Sequence, residues 1–200
     1  MNLDNKKIAG LLLFIAVMQF VLITVVCETV YPGYIAGQQA ISDLGNWNLA
    51  GHFAAVFSVS SILFGVLIIA GAYFIGQGFK TRRFSSLLAL AGVGNVVVGV
   101  VAENIVPAVH SLFALIMFVS WAVAAVVSFR CWKSPFSYLS VALGAFSLLM
   151  LAFSLVQRVS PSFLLGFGLG GVERLIVYPL WLWTLGFGAH LMGQSTLHPD

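Results

Sequence analysis

VVVGVVAENIVPAVHSL, residues Val96–Leu112, begins as a run of valines suited to hydrocarbon. It halts for a glutamate, an asparagine, a proline and a histidine, then gives way to FALIMFVSW. Two apolar segments separated by so short a polar break read as two membrane helices joined by a tight connection. A helix needs about 20 apolar residues to cross the hydrocarbon layer, and it satisfies every backbone group within itself. Composition agrees: 60% of the 200 residues are hydrophobic and 8% are charged. Soluble domains carry about 25% charge, and a folded chain of this size cannot hide so much apolar surface from water.

Outward from that break, six apolar segments are legible: Ile8–Val26, Leu49–Ile75, Phe84–Ala102, Ala108–Phe129, Phe136–Val156 and Val172–Met192. None keeps the period-two alternation of a membrane barrel strand. The expected fold is therefore all-α, one integral membrane bundle of six transmembrane helices over residues 1–200. The breaks between segments alternate in charge. Lys6, Lys7, Lys80, Arg82, Arg83, Arg130 and Lys133 share one side. Glu28, Asp43, Glu103, Arg158, Glu173 and Arg174 share the other. Seven basic residues against two orient the bundle in the cell membrane with both termini cytoplasmic.

Several readings fall away. The basic residues lie in short connections rather than one patch, so nucleic acid is excluded as a partner. The first segment exceeds the roughly 7–15 apolar residues of a signal core and is expected to stay as an anchor. Cys27 and Cys131 close opposite ends of helices, beyond disulfide reach. GFGLGG at Gly166–Gly171 lacks the strand and βαβ context of a dinucleotide loop and reads as a flexible loop or short re-entrant turn.

The polar residues collect at one depth. Glu103 and Asn104 mark the exit of the third helix, and Pro107 suits the first turn of the fourth, where its missing amide costs nothing. His110 and Ser111 follow one turn later, and His52 is placed about one turn into the second helix. Asp43 lies in ISDLG, Glu28 closes the first helix, and Glu173 and Arg174 open the sixth. Asn95, Gly99 and Glu103 are spaced to share one face of the third helix, and Arg174, Tyr178 and Trp181 one face of the sixth. Pro179 is expected to kink that helix. The opposite halves of the helices are apolar, with small residues such as Gly65 and Ala72 at packing spacings.

Three functions compete for this polar layer. It can be structural, a set of helix-end residues and ion pairs that fixes the bundle. It can be a binding pocket for a lipid headgroup or small amphiphile at the extracytoplasmic leaflet, lined by Asp43, His52, Asn95, Glu103, His110, Glu173, Arg174 and Tyr178, with Arg174 as anion clamp. A catalytic form of that pocket would be a zinc-dependent hydrolase, with His52, His110 and Glu103 or Asp43 as ligands. Two imidazoles and a carboxylate leave one position for an activated water. No H-E-x-x-H motif supports that set, so its ligands must converge from separate helices. Third, the chain can serve as a channel, carrier or assembly partner of another membrane protein. A stepwise proton path needs ionisable groups at every depth; the third helix offers Asn95 and nothing charged deeper, and the inner halves of the other helices carry no charged residue. A serine nucleophile beside His110 is disfavoured: Ser111 points to a different face, and no G-x-S-x-G elbow exists.

ISDLG at Ile41–Gly45, Pro107 with HSLFA at His110–Ala114, and GVERLIVYPLWLW at Gly171–Trp183 together resemble a family of small prokaryotic membrane proteins known as domain of unknown function 998. The resemblance runs from the first helix to the sixth. It implies a polytopic membrane protein and carries no catalytic residue with it.

Overall fold

A computed structural model describes residues 4–79, 81–132, 134–159 and 167–193. Six long helices account for nearly all of them: α1 (Asn5–Val30), α2 (Phe53–Phe79), α3 (Arg82–Val100), α4 (Pro107–Val127), α5 (Phe136–Val159) and α6 (Leu169–Gly193). Their starts follow from local chemistry. The Asp4 side chain accepts from the Lys7 amide at 2.9 Å and caps α1, and Pro107 stands in the first turn of α4. All six are long and apolar enough to cross a membrane, which makes the chain a multi-pass membrane protein.

Each helix packs against its neighbours in sequence, and α6 closes the ring by returning to α1. Small residues permit the closest approaches. A Cβ on Gly65 of α2 would stand 2.6 Å from the Gly92 carbonyl oxygen of α3, so only glycine allows that crossing. The middle of the ring is filled by rings. Phe20 of α1 lies 5.1 Å from Phe64 and 5.6 Å from Trp181 between centroids, and Phe64 lies 5.3 Å from Trp121. Aromatic rings at these separations attract one another beyond their burial. Two tryptophans of this interior have their N–H groups paired: Trp121 donates to Thr184 Oγ1 at 2.9 Å and Trp183 to Ser140 Oγ at 3.0 Å. Outward-facing Leu22, Val59, Leu149 and Leu182 stay about three-fifths exposed, the surface that lipid covers.

The two ends differ. Lys6 lies over the Phe79 ring, and Phe79 meets Trp132, so the start of α1, the end of α2 and the α4–α5 connection share one end. With Lys7, Arg82, Arg83 and Arg130 nearby in sequence, this is the basic end. Glu28, Asp43, Glu103, Glu173 and Arg174 mark the opposite, acidic end.

Element boundaries depart from the hydropathy reading where local backbone intervenes. The second segment starts at Phe53 rather than Leu49, because Gly51 adopts φ +55° and separates a one-turn helix, Trp47–Ala50, from α2. The third ends at Val100, so Glu103 lies in a turn and not on the helical face with Asn95 and Gly99. The sixth begins earlier, at Leu169, which turns the second half of GFGLGG into the start of a helix. Gly166, Lys80, Lys133, Asp200 and the side chain of Arg158 lie outside the described residues.

Candidate functional site

The acidic end is built around two consecutive residues of α6. An α-helix turns about 100° per residue, so Glu173 and Arg174 address different neighbours. Arg174 turns toward α1 and the segment after it. Its Nη2 donates to Glu28 Oε1 at 2.5 Å and to the Tyr34 hydroxyl at 2.7 Å. Its Nη1 donates to the carbonyls of Ala36, Gln39 and Gly170. One guanidinium thereby ties α1, α6 and the 31–40 segment together with charge-assisted bonds. Burial holds the Tyr34 hydroxyl up at about 12, against the pull of Arg174, so it stays a neutral donor and gives its proton to the Ala40 carbonyl at 2.9 Å.

The glycines of GFGLGG complete this docking. The Gly171 amide donates to the Gly37 carbonyl at 3.0 Å and the Gly170 amide to the Gln38 carbonyl at 3.3 Å. The helix start satisfies its free amides on the loop backbone. A Cβ at Gly170 would overlap the carbonyls of Ala36 and Gln39. In place of a flexible loop, these residues are a close-approach surface.

Glu173 faces the other way. It accepts from the Ile41 amide and lines a cavity of about 420 Å³. Asp43 stands on the same wall, held by the Ala40 amide at 2.9 Å, and Ser42 reaches toward Glu103 at 3.4 Å. His110, 5% exposed, completes the wall, with Nδ1 2.7 Å from the Val101 carbonyl. A carbonyl only accepts, so Nδ1 carries a proton and donates. The charges act on one another: Glu103 and His110 act on Asp43, and Asp43 and Glu103 on Glu173. Burial, with Glu103 adding to it, raises the Asp43 carboxyl above its ordinary value, against the Ala40 bond and His110.

Below these groups the cavity is apolar, walled by Phe118 of α4, Leu151 of α5 and Ile176 of α6. Leu112, Leu115, Leu155 and Leu169 also line it, yet remain 37–60% exposed on the outer face of the bundle. The cavity thus meets the lipid-covered perimeter on its apolar side.

A family model for proteins of unknown function, DUF998, matches residues 14–190. The chain belongs to the DUF998 family. No curated protein and no solved structure matches it. The matched range takes in the cavity wall and the Arg174 contacts of this DUF998 chain, from Glu28 through Ile176.

Of the side chains assigned to the layer, Asp43, Glu103, His110 and Glu173 converge from four parts of the chain. The rest do not join them. His52 is exposed in the turn that Gly51 creates, ahead of α2 rather than within it. Asn95 is 4% exposed and donates to the Ser61 carbonyl at 2.6 Å, a contact between α3 and α2. Tyr178 is 40% exposed and stacks on Trp181, beside a smaller apolar recess. Arg174, the expected anion clamp, is bound by Glu28 and the loop on the side of α6 away from the cavity. Of the expected ligand set His52, His110 and Glu103, the exposed His52 is absent from the wall; among the described residues no three His, Cys, Asp or Glu side chains are placed to hold a metal ion.

Sequence reading passed over Tyr34, Gln38 and Gln39. Their signal is YPGYIAGQQ at Tyr31–Gln39, two glycines and two tyrosines between apolar segments, which suits a compact loop.

Proposed function

We propose that this chain is a cell-membrane protein with both termini cytoplasmic that holds a small amphiphile or lipid headgroup at its acidic, extracytoplasmic end. The orientation rests on the seven-to-two distribution of basic residues. The binding reading is carried by one observation: a single cavity joins a polar wall, Asp43, Glu103, His110 and Glu173, to an apolar wall that reaches the lipid-covered face between α4, α5 and α6. Binding sites for small molecules are commonly concave, largely apolar and furnished with a few convergent polar groups. Ionisable groups at membrane depth are costly, and a bundle keeps them where they bind or transport something.

The test is retention. Chains extracted with their surrounding lipid and purified should carry one amphiphile per chain, identified by mass spectrometry of the organic extract. Ala114→Phe, which fills the cavity from α4, should lose it. Equal recovery from both chains would remove the cavity from the account.

A further inference from the structure

We infer that the occupant of this cavity presents a protonated amine, so that the site takes a compact lipophilic amine rather than an anionic or neutral amphiphile; the inference rests on the binding reading above. Carboxylates dominate the polar wall, which also carries the Gln38 amide and the Ser111 hydroxyl. Asp43, Glu103 and Glu173 supply carboxylates. His110 donates from Nδ1 to Val101, and its Nε2 has no partner among the described residues. An imidazole 5% exposed, on the cavity wall, with one nitrogen unpaired calls for a polar partner from the occupant.

Two of the hydroxyls on the wall are already engaged. Ser42 gives its proton to Glu103 and Ser154 gives its own to the Leu151 carbonyl at 2.7 Å. The guanidinium described at this end, that of Arg174, is bound to Glu28, Tyr34 and three carbonyls on the far side of α6. Among the described side chains of the acidic end, four carboxylates face one guanidinium. An anionic head would enter a field of its own sign, with no free cation among the described side chains of the wall. An ammonium head would meet the carboxylates with N–H donors. The volume of about 420 Å³ suits one small molecule, whose alkyl or aromatic body lies against Phe118, Leu151 and Ile176.

The experiment is equilibrium binding to the full chain in phosphatidylcholine nanodiscs at about pH 8, where model carboxyls are ionised. Decylammonium, decanol and decanoate are the probes, and protein-free discs give the partition background. Decylammonium is expected to saturate one site per chain and to bind roughly tenfold or more tightly than decanol, with decanoate weakest. Glu103→Gln, or Asp43→Asn should that chain fail to fold, should narrow the preference for the amine while decanol binding persists. Decanol or decanoate binding as tightly as the amine would overturn the inference and leave the amphiphile reading standing. No saturable binding of any probe above the background would overturn both. Saturable amine binding undiminished by Ala114→Phe would place the amine elsewhere and overturn the inference.

Discussion

Glu173 and Arg174 are neighbours in sequence and opposites in circumstance. Arg174 has a carboxylate, a phenol and three carbonyls around it, each donor direction of its two terminal nitrogens used. Glu173 has one backbone amide, and on its open side two more carboxylates and a histidine. The first arrangement is closed and neutral in sum; the second is open and carries excess negative charge. A polar network whose terminal donors are all taken explains itself by what it joins, here α1, α6 and the 31–40 segment. One with open positions beside a cavity leaves room for something from outside the chain. The polar layer is therefore two devices back to back on one helix.

The largest expected effect comes from opening the closed side. Arg174→Ala leaves Glu28 unpaired in a partly buried site and releases the 31–40 segment, and should cost about 3–5 kcal/mol. Thermal unfolding in nanodiscs would register it as a large fall in Tm, and Arg174→Lys should recover part of the loss. An unchanged Tm for Arg174→Ala would erase the contrast between the two residues.

The open side should respond to pH instead. The Asp43 carboxyl lies above its ordinary value in the folded chain, chiefly through burial. Between the unfolded value, about 3.9, and that raised value the folded state holds a proton that the unfolded state has released. Its contribution to stability therefore declines as pH rises through that window. Asp43→Asn should flatten the pH dependence of Tm there and leave Tm at neutral pH equal or slightly higher. A slope that survives the substitution would assign it to another group.

The smallest effect sharpens the border of the site. His52 is exposed and touches neither device, so His52→Ala should alter stability by no more than about 0.5 kcal/mol and leave amine binding intact. A loss of binding would return His52 to the wall.

Hydropathy made the six helices and their polar ends readable, because the bilayer imposes length and composition on each crossing. Depth along the helix was equally readable, which is why Asp43, Glu103, His110 and Glu173 fell in one set. Rotation was not. Glu173 and Arg174 share a depth, and only packing decides that one faces α4 and the other α1. His52 shows a second limit: an apolar run continues through Gly51, but the backbone turns there, and the histidine leaves the helix. The glycines of GLGG were misread because their role lies in a backbone segment some 130 positions earlier in sequence, where Gly37 and Gln38 accept their amides.

Cysteine labelling in intact cells tests most directly the proposal that the cavity opens to the outside. In a chain with Cys27 and Cys131 replaced by alanine, Ser111→Cys stands on the cavity wall and Ser85→Cys near the basic end. A membrane-impermeant maleimide should modify Ser111→Cys from outside, leave Ser85→Cys untouched, and lose its reaction with Ser111→Cys when Ala114→Phe is added. Modification of Ser85→Cys but not Ser111→Cys would invert the orientation, and a reaction indifferent to Ala114→Phe would contradict the cavity itself.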